Sequence, residues 1–130
     1  ISYIPPVSSG KVVKVYDGDT FTIATKLPHH RNQYYRFPVR IKGIDAPELR
    51  TKNTIEKDYA IMSRNYLSNM INNKVVRLEN VEFEKYGRLL ADVYVGDVNV
   101  SKEMLTKRYA VEYDGKKKPI IAWNEYVIPN

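Results

Sequence analysis

The sequence contains no cysteine among its 130 residues, which excludes disulfide bonds, thiolate zinc sites and cysteine nucleophiles. It has no internal repeat and no low-complexity stretch. No apolar run approaches the ~20 residues that a helix needs to cross a bilayer, so we expect no membrane span. A chain without cysteine is compatible with an exported and with an intracellular protein, so the compartment stays open.

The chain also lacks an initiator methionine and a signal-peptide pattern at its start, Ile1-Ser2-Tyr3-Ile4, and we therefore expect that it has been trimmed. Its length suits one domain with a single modest core. We expect residues 1–9 to form an irregular lead-in, because Pro5-Pro6 interrupts regular structure. Residues 10–130 are then predicted to form one domain, and we expect it to be a monomer.

Basic residues outnumber acidic residues by 21 to 15, which gives a net charge of +6. They become denser at Lys116-Lys117-Lys118. A positive domain attracts polyanions through counterion release, so nucleic acid is a favoured partner. Charge alone carries little weight, since many basic proteins bind nothing in particular.

Short runs of β-branched and aromatic residues predict five strands. The runs are Lys11–Tyr16, Phe21–Thr25, the alternating Phe37, Val39 and Ile41, Lys74–Phe83, and Leu89–Val95. The alternation in the third run places Arg40 on the face opposite the apolar residues. Asp17-Gly18 lies in the turn between the first two runs, and Tyr86-Gly87 in the turn between the last two.

Two helices are predicted beside these strands. Apolar residues spaced by three and four predict an amphipathic helix, and they are Ile55, Tyr59, Met62, Tyr66 and Met70. Ser101 is the predicted N-cap of a short helix that ends near Arg108. Together, the elements predict a mainly β chain with helices (an α+β fold), arranged as a small closed five-stranded β-barrel.

Two acidic motifs follow predicted strands: Asp17-Gly18-Asp19-Thr20, and Asp45-Ala46-Pro47-Glu48. Calcium takes roughly six to eight oxygen ligands from carboxylates, backbone carbonyls and water. Asp19, Asp45 and a backbone carbonyl would leave positions open for water and a phosphate oxygen. Either motif alone is more simply explained as a turn or a polar loop; it is their combination with nearby arginines that favours a cation site.

Arg40 and Arg88 suit a phosphate, because guanidinium groups form paired hydrogen bonds with phosphoryl oxygens and stay charged at any working pH. We expect them to grip the phosphate and to stabilise the transition state of hydrolysis. The alternative is that Arg40 is a solvated strand residue and Arg88 a hairpin residue, as most arginines lie on the surface.

These segments resemble the staphylococcal nuclease (thermonuclease) family. Its members carry an Asp-Gly-Asp-Thr turn, an arginine five residues before an Asp-x-Pro-Glu loop, and a Tyr-Gly-Arg turn. The match runs from about Val12 to Tyr113. It implies an OB-fold barrel with two or three packed helices and a calcium-dependent endonuclease that hydrolyses DNA and RNA, preferably single-stranded or frayed. The products would carry 3′-phosphate ends.

The resemblance also implies roles for the acidic residues. Asp19 and Asp45 correspond to the direct ligands of one calcium ion, and Asp17 to a neighbouring carboxylate that supports them. Ala46 would supply a backbone carbonyl to the ion, although the best-known member has threonine there. Glu48 corresponds to the general base for the attacking water, or to a group that orients a metal-bound water.

Two tyrosines match positions where the family places rings against the bound nucleotide. They are Tyr86 and Tyr113, and stacking of this kind is tolerant of base sequence. Lys85 is a candidate phosphate contact, and a solvated lysine is an equally good interpretation. His29-His30 lies in the segment Lys26–Arg36, and we expect it to be a polar, mobile loop tip outside the catalytic group.

Two features depart from the family pattern. Arg108 stands where relatives often have a glycine that ends the second helix. The tail after Lys118 is shorter than the family's third helix, and Trp123 and Tyr126 are expected to pack it on the barrel.

The main alternative is a non-catalytic nucleic-acid-binding module on the same OB-fold. Such modules typically lose the acidic and arginine positions, whereas this chain retains Asp19, Arg40, Asp45, Glu48 and Arg88. A third possibility is a module that binds acidic proteins, which has no need of these residues.

Overall fold

The computed structural model describes residues 3–118 and 120–127, without the side chains of His30 and Arg31. The remaining residues of the predicted lead-in and tail (1–2, 119 and 128–130) lie outside the described part. The strands are β1 (Ser9–Val15), β2 (Thr20–Leu27), β3 (His30–Ile41), β4 (Ile44–Asp45), β5 (Val75–Phe83), β6 (Leu89–Val95), β7 (Val98–Asn99) and β8 (Val111–Glu112). The helices are α1 (Thr54–Ile71), α2 (Val100–Thr106) and α3 (Trp123–Tyr126).

Five strands form the barrel of the described residues, in the order β3-β2-β1-β5-β6. Neighbours in this order are antiparallel, and a parallel pairing of β3 with β6 closes the sheet on itself. Closure covers the outer edge of β3 at residues 39–41, where unpaired backbone groups would otherwise be exposed. The predicted α+β fold, a five-stranded OB-type barrel with packed helices, is confirmed.

The barrel interior is filled by the inward-facing residues of each strand, as a side-chain period of two requires. They include Val12, Phe21, Ile23, Val39, Ile41, Val76, Leu78, Leu89, Ala91 and Val93, all buried. Each large apolar side chain contributes about 1.5–3 kcal/mol by leaving water. Among the described residues, no helix has both the length and the apolar character of a membrane span.

Helix α1 begins at Thr54, where the Asn53 side chain caps it by accepting hydrogen bonds from the amides of Ile55 and Glu56 at 3.0 and 3.1 Å. The buried stripe of α1 consists of Ala60, Ser63, Leu67 and Ile71. The predicted stripe is one position away from it: Ile55 is 53% exposed, and its other members only flank the core. Small residues such as Ala60 and Ser63 lie innermost because they let the helix approach the barrel closely.

Helix α2 begins two residues earlier than predicted. Its N-cap is Asn99, whose side-chain oxygen accepts the Lys102 amide at 3.2 Å. Ser101 lies inside the helix, where its hydroxyl donates to the same Asn99 oxygen at 2.8 Å. The prediction of Ser101 as the cap was therefore wrong, because two residues of the capping type stand close together and the earlier one takes the role.

Arg108 ends α2 in the left-handed conformation, with φ 64°. The Tyr109 amide donates to the Met104 carbonyl and the Arg108 amide to the Leu105 carbonyl, both at 3.0 Å, which is the Schellman pattern. The position that favours glycine is thus filled by an arginine whose side chain reaches the tail: its Nε donates to the Tyr126 carbonyl at 2.6 Å.

The segment Lys26–Arg36 is a hairpin, so the predicted loop tip is limited to the turn between its two strands. Strands β2 and β3 continue through it, with turn residues at Pro28 and His29 and cross-strand pairs that include Thr25 with Tyr35. Polar composition made an exposed hairpin resemble a loop. The side chain of His30 lies outside the described residues.

Candidate active site

The pairing of β2 with β3 brings the first acidic motif to Arg40. Thr20, the first residue of β2, lies opposite Arg40 in the register, and the Asp19 carbonyl accepts the Ile41 amide at 2.9 Å. The turn that precedes β2 therefore presents the Asp19 side chain to the outer face of β3, where the alternation of β3 places Arg40.

Arg40 lies between two carboxylates that come from different motifs. Its Nη1 is 2.9 Å from Asp19 Oδ2 and its Nη2 is 3.4 Å from Asp45 Oδ1, and no more than 10% of any of the three side chains is exposed. Charges at such depth interact more strongly than charges in water. The structure thus joins Asp19 and Asp45 around one cationic group, as their predicted shared role requires.

One nitrogen of Arg40 keeps unused hydrogen-bonding capacity. Nη1 is buried and meets Asp19 as an ion pair, but without the alignment of a hydrogen bond to any of the described residues. Buried donors are nearly always satisfied in proteins. A phosphoryl oxygen is an acceptor that a guanidinium group binds well.

The Asp19 carboxylate is held by several donors. Oδ2 accepts the Ala46 amide at 2.9 Å, and Oδ1 accepts the Thr20 hydroxyl at 2.9 Å. The Asp19 amide in turn donates to Asp17 Oδ1 at 3.0 Å. The two acidic motifs are therefore tied to each other through Asp19 and Ala46, which fixes the carboxylate before any ligand arrives.

Gly18 allows this turn to pack against α1. A Cβ at Gly18 would lie 1.9 Å from Ser63 Oγ and 2.8 Å from Ala46 Cβ. Ser63 has no freedom to move away, because its hydroxyl donates to the Tyr109 carbonyl at 2.8 Å in the buried interior. Glycine is required here by the close approach of the chain.

Two carboxylates of the site, Asp17 and Asp45, are harder to ionise than free ones. Burial, with the neighbouring Asp19 carboxylate, raises the pKa of Asp17 to about 7. Burial also raises the pKa of Asp45, against the opposing effect of the nearby Lys118 and Arg40. Negative charge is concentrated here in a poorly hydrated space, which is an environment that favours a bound cation.

The carboxylate oxygens fit a cation site for which the protein supplies only part of the ligands. Asp19 Oδ2 and Asp45 Oδ1 are hard oxygen donors that converge on one charged group, and Ca²⁺ or Mg²⁺ selects such donors. In residues 3–118 and 120–127, no three His, Asp or Glu side chains form a complete metal site. The protein side chains would therefore supply two ligands, leaving the others to backbone, water or substrate.

Arg88 reaches the same cleft from the turn between β5 and β6. Gly87, with φ 88°, closes this tight hairpin, and Arg88 Nε donates to Glu84 Oε1 at 2.6 Å. The barrel-closing pairing sets Val39 opposite Leu89. Arg88 therefore stands next to the strand that carries Arg40.

Glu48 lies at the mouth of the cleft. Its amide donates to Glu56 Oε2 at 3.3 Å, and its carboxylate accepts a hydrogen bond from Lys118 Nζ at 2.6 Å. Lys118 Nζ is also 3.6 Å from Asp45 Oδ1. The hydrogen bond to Glu48 raises the pKa of Lys118, so this lysine is held charged among the acidic residues.

The predicted aromatic and lysine contacts divide into two groups. Tyr113 lies in the cleft, where its ring centroid is 5.8 Å from Arg40 Cζ, because its amide donates to the Gly43 carbonyl at 2.9 Å. Tyr86 is 90% exposed on the β5–β6 turn, with Lys85 Nζ 5.8 Å from its ring centroid. Lys85 and Tyr86 thus lie outside the cleft that holds the other predicted residues.

The cleft consists of two cavities that share Arg40, Arg88 and Lys118. The larger, of about 510 Å³, includes Tyr113. The smaller, of about 250 Å³, includes Tyr16 and Arg50 together with the acidic residues. Sequence reasoning missed three of these residues. Lys118 appeared only as part of a basic run, and Tyr16 and Arg50 adjoin the acidic motifs without belonging to them.

Fold and site together define a small OB-type barrel with an acidic, arginine-lined cleft at its strand ends. The profile of the family described as Staphylococcal nuclease homologue matches residues 38–125. This chain belongs to that family.

Curated relatives carry nuclease names. The chain is 35% identical over 104 residues to a thermonuclease of Staphylococcus hyicus, covering 78% of this chain and 54% of the relative. It is 30% identical over 106 residues to an uncharacterized endonuclease of Escherichia coli, covering 81% and 61%. It is 29% identical over 128 residues to a probable endonuclease of Schizosaccharomyces pombe, covering 82% and 56%. The chain thus spans between 54 and 61% of the length of these relatives.

Proposed function

We propose that this domain is a metal-dependent endonuclease that hydrolyses phosphodiester bonds in DNA and RNA. The observation that carries the proposal is the position of Arg40 between the buried carboxylates of Asp19 and Asp45, with a buried donor left unsatisfied. A binding module has no use for two buried acids beside its phosphate contact, since they repel the substrate. A hydrolase uses such acids to hold a cation.

Calcium is the proposed cofactor, with Asp19, Asp45 and the Ala46 carbonyl as its protein ligands. When bound, it would neutralise negative charge on the phosphoryl group and polarise it toward attack. Asp17 supports this set through the Asp19 amide, which donates to its carboxylate. The family relationship favours the same assignment, because the chain is similar to thermonucleases over most of its length.

The two arginines hold the scissile phosphate in this mechanism. Arg40 would donate to one phosphoryl oxygen through its guanidinium group, whose Nη1 makes no hydrogen bond to the described residues, and Arg88 would reach another from the β5–β6 turn. Negative charge on these oxygens increases as water attacks, so both contacts strengthen in the transition state. Removing one donor of this kind typically costs ~10²–10³ in rate.

Glu48 is the proposed acceptor of the proton from the attacking water. Its carboxylate lies at the mouth of the cleft, where water has access, and its side chain is 53% exposed. The Lys118 ammonium occupies one of its oxygens at 2.6 Å. We infer that Lys118 moves toward the substrate phosphate when Glu48 acts. The ammonium would then pair with the phosphate instead of the Glu48 carboxylate.

The substrate contacts outside the phosphate are assigned to Tyr113, Tyr86 and Lys85. Tyr113 borders the larger cavity and would stack on a base, which favours single-stranded or frayed nucleic acid. Tyr86 and Lys85 would meet a strand that leaves the cleft along the β5–β6 turn. Release of 3′-phosphate ends is the expected outcome of cleavage.

One assay tests this proposal. Purified protein is incubated with a labelled single-stranded oligonucleotide in calcium or in chelator, and product lengths and end groups are read. We expect calcium-dependent cleavage that Arg40→Ala and Glu48→Gln abolish. Arg36→Ala is the matched control, because it removes an exposed arginine from the same strand. Binding without cleavage in any divalent metal would instead identify the non-catalytic module.

A further inference from the structure

The cleft extends to both sides of the two arginines. One cavity, of about 510 Å³, lies on the side of Tyr113, and the other, of about 250 Å³, lies on the side of Tyr16. Both are lined by Arg40 and Arg88. If these arginines hold the scissile phosphate, as proposed above, each cavity faces one of the two nucleosides that the phosphate joins.

Tyr16 offers an aromatic surface at the smaller cavity. Its backbone is fixed, because its amide donates to the Thr20 carbonyl at 3.0 Å within the turn that carries the acidic motif. Its side chain nevertheless remains 42% exposed. A partly exposed ring that lines a cavity is suited to stacking on a base.

Arg50 supplies the second element of the same cavity. It lies in the loop between Glu48 and α1 and is exposed, and its guanidinium makes no ion pair or hydrogen bond among the described residues. By contrast, Arg40 and Arg88 are both paired with carboxylates. Arg50 is therefore a cation available to an external anion without first breaking an internal contact.

We propose that Tyr16 and Arg50 form a second nucleotide subsite, with the base stacked on Tyr16 and the next phosphate along the strand bound by Arg50. The proposal rests on the endonuclease function proposed above and extends it. A strand held on both sides of the scissile phosphate is cut internally, so the subsite accounts for endonucleolytic cleavage. The ligand is one nucleotide unit of a single strand, bound through stacking and charge rather than through base identity.

The first test is binding under chelation, which needs no catalysis. Fluorescence anisotropy with a labelled single-stranded oligonucleotide is measured for Tyr16→Ala and Arg50→Gln. Each variant should bind about tenfold more weakly, since stacking and a phosphate contact are each worth about that much. Tyr16→Phe keeps the ring and should bind like the parent protein.

Matched controls remove equivalent groups elsewhere. Tyr34→Ala deletes a tyrosine that is 69% exposed on the β2–β3 hairpin, and Lys52→Gln deletes an exposed cation in the same loop as Arg50. Both should change affinity less than about twofold. If Tyr16→Ala and Arg50→Gln bind no more weakly than these controls, the subsite does not exist.

The second test locates the subsite relative to the cleaved bond. Two substrates each lack one base, on the 5′ or the 3′ side of a single scissile linkage. Loss of the base on one side should slow cleavage by the parent protein about tenfold, but should not slow cleavage by Tyr16→Ala any further. Loss of the base on the other side should likewise slow the parent protein but not Tyr113→Ala. Absence of coupling to Tyr16 on either side overturns the proposal.

The two proposals fail differently. A protein that cleaves nothing but whose binding is weakened by Arg50→Gln contradicts the endonuclease function and retains the subsite. Normal cleavage, together with an affinity that Arg50→Gln and Tyr16→Ala do not change, supports the endonuclease function and contradicts the subsite.

Discussion

Lys118 and Glu48, separated by 70 positions in the sequence, form a hydrogen-bonded ion pair of 2.6 Å at the mouth of the cleft. The same ammonium is 3.6 Å from Asp45 Oδ1, an oxygen proposed to bind calcium. Lys118 therefore places a positive charge close to where a divalent cation would bind, and the two charges repel each other.

We predict that Lys118→Gln binds calcium about tenfold more tightly. A single and a double charge about 5 Å apart in water repel by roughly 1–2 kcal/mol, and tenfold corresponds to about 1.4 kcal/mol. Calorimetric titration of the protein with calcium, without substrate, measures the effect. Lys117→Gln carries the same change of net charge on the neighbouring residue and should shift the affinity far less. Equal shifts in both variants would show that the contact with Asp45 and Glu48 has no special effect.

Gly18→Ala should destabilise the fold and weaken cation binding together. The added Cβ meets Ser63 Oγ at 1.9 Å, so the acidic turn must move away from α1, at a cost of about 1–3 kcal/mol. Urea denaturation gives the stability and calcium titration the affinity. Ser63→Ala removes the closest atom, and Gly18→Ala should therefore cost less in that background. A Gly18→Ala protein as stable as the parent would contradict the close packing.

Arg40→Ala should lose stability as well as activity. It leaves the buried carboxylates of Asp19 and Asp45 without their shared partner, and breaking a buried ion pair costs about 3–5 kcal/mol. Calcium should restore part of that loss, because it would supply positive charge to the same two groups. Thermal unfolding with and without calcium measures both effects. If calcium stabilises Arg40→Ala less than it stabilises the parent, Asp19 and Asp45 are not its ligands.

Much of this geometry was accessible from the sequence because it depends on local rules. Alternation in β3 placed Arg40 opposite the core, and the motifs marked Asp19 and Asp45 at strand ends. The register of β2 with β3 then brings Asp19 to Arg40. The barrel followed from short strands separated by turns. Predicting these features requires only the side-chain periodicity of the strands and the positions of the turns.

What could not be predicted depends on contacts between distant segments. Lys118 lies in a tail without hydrophobic periodicity, so no sequence pattern predicts its ion pair with Glu48. The buried stripe of α1 is centred on Ser63, because steric fit against the Gly18 turn outweighs hydrophobicity. Tyr86 belongs to a motif but points into solvent, since adjacency to Arg88 in sequence does not ensure adjacency in the cleft.

Tyr66 links α1 to α2 and should make stability depend on alkaline pH. Its hydroxyl donates to Glu103 Oε1 at 2.6 Å, and burial, followed by Glu103, raises the pKa of Tyr66 from 10.0 to about 12. The fold thus favours the neutral phenol. The resulting stabilisation is fully present below the unfolded pKa and is lost as the pH rises through the folded pKa.

Tyr66→Phe removes the hydroxyl and tests this dependence. The variant should be less stable than the parent at about pH 9, and the difference should shrink as the pH approaches about 12. Denaturant unfolding across this range measures it. Tyr34→Phe, on an exposed tyrosine, should follow the parent at every pH. A constant difference between Tyr66→Phe and the parent would show that the hydroxyl does not titrate with folding.

We predict that Arg108 stabilises the fold more than glycine would, although its left-handed backbone conformation favours glycine. Arg108→Gly relieves a left-handed residue, a gain of about 1–2 kcal/mol. It also removes the 2.6 Å hydrogen bond to the Tyr126 carbonyl, worth about 1.5–3 kcal/mol for a charged donor, and the guanidinium 4.5 Å from the Tyr126 ring centroid, worth about 0.5–1 kcal/mol. We therefore expect a net loss of stability of roughly 1 kcal/mol.

Trp123 is the one tryptophan of the chain, so its fluorescence reports release of α3 directly. Arg108→Asn tolerates the same φ and should release α3 equally. A more stable Arg108→Gly protein with unchanged fluorescence would mean that the tail is held by Trp123 packing alone.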